Sequence, residues 1–412
     1  MKVILFDLLP YGENLDHLKV DGKLPRPLGK KHFKPEVMVR TYAEHIAAWE
    51  EMDRLGFDGV GFNEHHGTPY GMMNSPNLLA AAISQRTTRL KILIYANLLP
   101  IHEPLRLAEE IAMLDCLTNG RLIAGVARGI PREYQFYNVP MADSRARFNE
   151  CFEIMKRAWT EERFSYSGKF YSYKDVSIWP RPMQEPHPPV WVPISGSKES
   201  IEWAAKHDIA ITPSSWLSLE GAELQDAIVR HYAKCQAEAG RKVTPEHLSI
   251  QMSCYVADSK AQAIEECGPY FCYLFNTLVP FDQPPPEQVR AQGFSARPGD
   301  DLRGPRGWGG SDARNTVFQG TSMRPPLFGN ATMDMLRERA DELPWGTPEE
   351  VSAHIMREVD HVGAGTVILM CNPGAMPQEM FLNQIRRIGK EVLPRLQGHK
   401  VTRVKLADGI GA

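Results

Sequence analysis

Four short strings place chemically capable side chains beside small residues: Asn63-Glu64-His65-His66, Tyr95-Ala96-Asn97, Gly125-Val126-Ala127-Arg128-Gly129 and Ser195-Gly196-Ser197-Lys198-Glu199-Ser200. In the first, a single imidazole aimed into a pocket would serve as base or donor near neutral pH. The string is not H-E-x-x-H, and neighbours on a strand face opposite ways, so His65 and His66 are not expected to share a metal. In the second, Ala96 is a small side chain among large ones and leaves room for a flat ligand. In the third, glycine neighbours let Arg128 reach a phosphate without blocking backbone approach. The fourth reads as a helix N-terminus with free N–H groups and hydroxyls, which suits an anion. Each string also has an ordinary alternative: a histidine bonded to loop backbone, core packing around Tyr95, a salt-bridged Arg128, a simple cap at Ser197. No Walker A or G-x-G-x-x-G string occurs, so a nucleoside triphosphatase or Rossmann reading lacks support.

The chain that must position these strings has 412 residues and a formal net charge of −3, with 43% hydrophobic and 24% charged residues. Balanced charge argues against a polybasic nucleic-acid binder. No stretch approaches about 18 uninterrupted apolar residues, so no membrane span is expected. The opening MKVILFDLLPYGEN is too short and too acidic for a secretory signal and fits a first strand better. The seven cysteines form no C-x-x-C and lack zinc-ligand spacing. They read as reduced, mostly packing thiols of a cytoplasmic protein.

Short apolar runs alternate with helical patterns along the whole chain. VILFDLL (3–9), DGVGF, KILIYANLLP, LIAGVARG, PVWVPIS, DIAITPSS, HLSIQMSCYVA and TVILMCN read as strands. Between them lie helices: one opening at Pro35 and stopping at Gly56, one with a possible Ser75 cap, one ending at Asn119-Gly120, and one beginning near Ser197. Eight such alternations predict an α/β fold of the (β/α)8 TIM-barrel class, with strands covered on both faces. The expected organisation is one barrel domain over 1–400, interrupted at 10–35, 162–189 and 281–330, and a tail at 401–412. Residues 162–189 read as a hairpin followed by an extended proline segment. The Pro- and Gly-rich stretch 281–330, between strands seven and eight, is expected to be an active-site lid; the alternative is a disordered insertion. In such a barrel, chemistry sits at the C-terminal ends of the strands, where all four strings fall.

Taken together, GFDGVGFNEHH, KILIYANLLPIHEPLRLAEEIAMLDCLTNGRLIAGVARG, PPVWVPISGSKESIEWAAKHDIAI and WGTPEEVSAHIMREVDHVGAGTVILM resemble the bacterial luciferase-like family of flavin-dependent monooxygenases. The blocks come in the family's order and span nearly the whole chain; they are weakest over 10–35 and 281–330. The resemblance implies a barrel that binds FMN at its C-terminal face. His65 matches the family's catalytic histidine near the flavin. Tyr95-Ala96 matches the site where the family often has a non-proline cis peptide beneath the flavin ring. Arg128 matches the arginine on the flavin phosphate, and Gly196, Ser197 and Ser200 match the phosphate loop. Glu64 falls in the same flavin-binding set. Ala127 stands where the light-emitting α subunit has a reactive cysteine, so no thiol is expected there. The implied activity uses reduced FMN, supplied by a separate flavin reductase, and O2 to insert one oxygen into an organic substrate. The rivals are a deazaflavin-dependent hydride-transfer enzyme of the same barrel family and a non-catalytic flavin-binding subunit. Trp179, Trp191 and Trp216, near expected strand ends, suggest an apolar or aromatic substrate or serve as packing anchors. A homodimer is the family's expectation.

Overall fold

In the computed structural model, residues 1–213, 222–282 and 329–410 are described. Eight parallel strands form the central sheet: β1 (Lys2–Asp7), β2 (Gly59–Phe62), β3 (Lys91–Leu98), β4 (Leu122–Ala127), β5 (Val190–Ile194), β6 (Ala210–Pro213), β7 (Ser249–Ser253) and β8 (Thr366–Met370). They pair in the order β6-β5-β4-β3-β2-β1-β8-β7. A parallel bridge from Ile211 to Leu248 joins β6 to the start of β7, and the Thr212 and Ser249 hydroxyls meet there at 2.6 Å. The sheet is therefore a nearly closed TIM barrel. Its strands are apolar runs because helices cover their outer faces; in β3 only Lys91 is exposed.

The longer helices are α1 (Pro35–Leu55), α2 (Pro76–Ser84), α3 (Pro104–Leu117), α4 (Ser144–Thr160), α5 (Lys198–Lys206), α6 (Ala222–Glu238), α7 (Lys260–Tyr273), α8 (Pro348–Val362) and α9 (Gln378–Arg387). Proline at the first turn and a left-handed residue at the end bound several of them. Pro35 opens α1, and Gly56, at φ 93°, closes it. The buried face of α1 carries Val37, Met38, Ala48, Trp49 and Met52 against the barrel. Ser75 does sit at the N-cap of α2, but its side chain makes no capping bond.

β1 is shorter than the apolar run 3–9 suggested. It ends at Asp7, whose carboxylate accepts from Trp49 Nε1 (2.8 Å) and meets His45 Nδ1 (2.6 Å), both on α1. Leu9 then takes a positive φ of 46°, which breaks the strand. β3 and β4 approach so closely that a Cβ at Gly125 would lie 1.9 Å from the Ile94 carbonyl oxygen; only glycine fits. Just beyond, the β3–β4 ladder shifts between Ile94 and Asn97, and within that gap the Tyr95–Ala96 peptide is cis. Residues 162–189 do form an antiparallel hairpin, Phe164–Ser167 with Ser172–Val176, followed by an irregular proline segment. The expected lid lies mostly outside the described residues, which resume at Gly329. No helix among the described residues is long and apolar enough to cross a membrane.

Candidate active site

The ends of the strands surround a cavity of about 1160 Å³, part of it open to solvent. His65, Glu64, Tyr95 and Ala96 line it from the β2 and β3 side, and Arg128, Ser197 and Ser200 from the β4 and β5 side. Gly196 does not itself line the wall. Its φ of 101° turns the chain so that Ser195 and Ser197 do. Seven of the eight residues singled out by sequence are thus brought together.

β2 stops at Phe62, so Asn63 to His66 are loop, and strand alternation does not govern the two histidines. They diverge because each meets a different carboxylate. His65 Nδ1 lies 3.1 Å from Glu133 Oε1. Glu133 is fully buried on the short helix Pro131–Phe136 that follows β4, and its other oxygen accepts from the Ile130 N–H at 2.9 Å. A carboxylate on Nδ1 holds the proton there, which makes Nε2 the basic nitrogen of the neutral ring. The Tyr70 ring sits edge-on at 4.8 Å and fixes the imidazole plane.

Glu64 is buried, and its carboxylate is saturated. It accepts from the Leu98 N–H (2.9 Å) and Asn97 Nδ2 (3.3 Å), and meets His66 Nε2 (3.0 Å) and His102 Nε2 (2.8 Å). Burial pushes its pKa up, but the hydrogen bonds and charges of His102 and His66 outweigh this and hold it at about 2. On His102, burial pulls the other way, yet Glu64 raises the pKa above its ordinary value. This ion pair ties the end of β3 to the histidine loop. Glu64 touches the cavity wall, but its oxygens are occupied by protein groups.

Between β4 and β5 the chemistry inverts. Arg145, in the first turn of α4, lies beside Arg128 and donates to Ser200 Oγ (2.5 Å). Glu199 stands 3.5 Å away but is half exposed. Burial, and then the neighbouring charge of Arg128, push the Arg145 guanidinium down to about 10. Ser197 is the N-cap of α5, yet its buried hydroxyl makes no capping bond and has no partner among the described residues. Two neighbouring guanidinium groups, the Ser197 hydroxyl and the N-terminus of α5 thus gather at one end of the cavity.

The family profile described as luciferase-like monooxygenase matches residues 27–364. The chain belongs to this family. It is 36% identical over 206 residues to an uncharacterised protein, y4wF, of Sinorhizobium fredii, covering 50% of this chain and 56% of that one. It is 27% identical over 229 residues to the oxygenase component of a flavin-dependent trigonelline monooxygenase of Acinetobacter baylyi, covering 54% of this chain and 62% of that one. In both cases the match spans less than two thirds of the relative. Among solved structures, the monooxygenase RslO1 of Streptomyces bottropensis superposes with a TM-score of 0.69 at 25% identity, covering 96% of this chain and 99% of that one.

Within this luciferase-like barrel, neither Trp179 nor Trp191 forms a substrate wall, and Trp191 is a packing anchor, the other reading its sequence allowed. Trp179 is 85% exposed in the proline segment and does not line the cavity, and Trp191 is buried in β5 without lining it either. Trp216 lies outside the described residues. The aromatic walls are instead Phe6, Tyr70, Tyr95, Phe148 and Trp203. Sequence reasoning also missed Glu133, Arg145 and Gln251. Glu133 is separated from His65 by 68 positions, and only the fold joins them. Arg145 reads as one more basic residue at a helix start. Gln251 had a signal: Ser249, Gln251 and Ser253 alternate with Ile250 and Met252, a polar stripe on a strand that a barrel must turn inward.

Proposed function

We propose that the chain is an FMN-dependent monooxygenase that inserts one oxygen atom into an apolar or aromatic organic substrate. The observation that carries this is the cradle at Arg128, Arg145, Ser197 and Ser200, which sets two cations and an unpartnered buried hydroxyl at one end of an aromatic-walled cavity. A phosphate monoester there would satisfy Ser197 and neutralise the crowding that depresses Arg145. A flat ring extending from that anchor would lie against Ala96, where a larger side chain would stand in its way. Reduced FMN, when bound, supplies the means to activate O2 and deliver one of its atoms. The protein binds, orients and keeps water out. Phe6, Phe148 and Trp203 line the hollow with apolar surface, which favours the bound ring and disfavours bulk water. Glu64 acts as a positioning residue for the end of β3. His65, oriented by Glu133, holds or accepts a proton at Nε2, a role without purpose in a subunit that only stores flavin.

The same reading includes a flavin reductase as partner, a cytoplasmic setting and a homodimer. Exposed Leu78 on α2 and Met113 and Leu117 on α3 support the last. The test supplies FMN through a reductase and NADH under 18O2 and follows a panel of aromatic substrates by mass. Incorporation of one labelled atom per product is expected. His65→Ala should lower turnover by about 10²–10⁴-fold with FMN affinity unchanged. Oxygen-independent turnover with a reduced deazaflavin, and none with FMN, would replace this reading with hydride transfer.

A further inference from the structure

Gln251 lies in the middle of β7, opposite Ile368 of β8, and is 2% exposed. It lines the cavity, and neither its amide nitrogen nor its carbonyl oxygen has a partner among the described residues. Its strand neighbours Ile250 and Met252 are buried too. A buried primary amide left with both halves unmet is a standing cost to the folded chain. Natural cores seldom keep such a group unless something else completes it.

The strand order places Gln251 relative to the cofactor end. In the closed order β6-β5-β4-β3-β2-β1-β8-β7, β7 stands four strands from β3, on the opposite wall. The anion cradle is at β4 and β5, and the flat wall at Ala96 is on β3. A ring anchored there leaves Gln251 facing it across the cavity.

We propose that Gln251 is a specificity-determining residue for the organic substrate, which it binds through a paired edge: one hydrogen-bond acceptor and one donor on adjacent atoms. Cyclic amides and α-hydroxy carbonyl compounds carry such an edge; plain hydrocarbons do not. The carboxamide offers its N–H to the substrate carbonyl and its C=O to the neighbouring N–H or O–H, as a planar two-bond match. The rest of the substrate packs on Phe6 and the aromatic walls. A site built this way rejects an analogue lacking the polar edge, because that analogue leaves the amide unmet. The inference rests on the monooxygenase reading for the second molecule's being the substrate, but the amide itself does not depend on FMN.

The test uses the full chain and three probes of one ring size: naphthalene, 2-naphthol and 2-quinolone, whose N–H and C=O are adjacent. Equilibrium dialysis, with and without FMN, gives their affinities for the wild type, Gln251→Leu and Gln251→Met. In the wild type, 2-quinolone should bind roughly 10- to 100-fold tighter than naphthalene, with 2-naphthol between. In both variants that ratio should collapse through loss of 2-quinolone binding, with naphthalene and FMN affinities unchanged. Apo Gln251→Leu should melt about 1–2 °C higher than wild type, because an unmet amide is gone. No preference for 2-quinolone in the wild type, an equal loss for all three probes, or a lower melting temperature in both variants would overturn the proposal. A change in FMN affinity with the probe ratio intact would overturn it as well, since Gln251 would then belong to the flavin. Failure of the wild type to bind FMN counts against the proposed function, whereas the probe ratio measured without FMN still decides the role of Gln251.

Discussion

Glu64 and Gln251 are both buried, both polar, and both part of one cavity wall. Around Glu64, two backbone or amide donors and two imidazoles complete the carboxylate, and its pKa falls to about 2. Around Gln251 no described protein group completes the amide, and the same holds for the hydroxyl of Ser197. The first side chain is a fastener: it joins the loop after β2 to the end of β3. In the proposals above, the second and third meet a bound ligand. Lining a cavity therefore does not mean binding what enters it; the state of a group's hydrogen bonds separates the two roles.

The contrast breaks most visibly at Glu64. Glu64→Ala strands two imidazoles and the Leu98 N–H, and should cost about 3–5 kcal/mol of stability in urea unfolding. An unchanged midpoint would show that the network is not a fastener. Arg145→Ala acts on the other side of the contrast. FMN affinity should fall roughly 10- to 100-fold, about 1.4–3 kcal/mol, while the apo chain keeps or gains stability as Arg128 loses a like-charged neighbour. A destabilised apo protein with normal FMN binding would make Arg145 structural.

The pH dependence sharpens the comparison further. The folded pKa of Glu64 lies below its ordinary 4.5, so its contribution is present above that value and is lost as pH falls towards about 2. The pKa of His102 is raised above 6.5, so its contribution is full below 6.5 and fades as pH rises through the raised value. Glu64→Gln should flatten the acid limb of a stability profile, and Gln251→Leu should leave its shape alone. The smallest effect repeats the lesson at two helix caps. Thr347 Oγ1 accepts from the Glu350 N–H at the start of α8, so Thr347→Ala should cost about 1 kcal/mol, and Ser75→Ala, which removes no capping bond, about half that or less. Equal losses would mean that cap position alone, without the bond, carries the energy.

The barrel was legible in sequence because its strands are covered on both faces, and unbroken apolar runs such as TVILM announce that. The cluster proposed as an anion cradle was legible in part: Arg128 and Ser197 lie just past strand ends beside glycine, a local signal. What could not be read is what depends on pairs distant in the chain. The pairing of Glu64 with His102 is of this kind, and nothing near Glu133 in the sequence points to His65. Trp179 misled because aromatic content says nothing about which way a proline-bound loop turns. The alternation of Ser249, Gln251 and Ser253 was present, but it gains meaning only once β7 is known to close the barrel.

The central claim is that the cradle between β4 and β5 holds the phosphate of a flat flavin. Equilibrium dialysis of the full chain against FMN and against riboflavin, each in oxidised and reduced form, tests it directly. The account predicts saturable FMN binding at least about 10-fold tighter than riboflavin, with that difference lost in Arg145→Ala. Equal affinity for the two, or no uptake of FMN in either oxidation state, would contradict it.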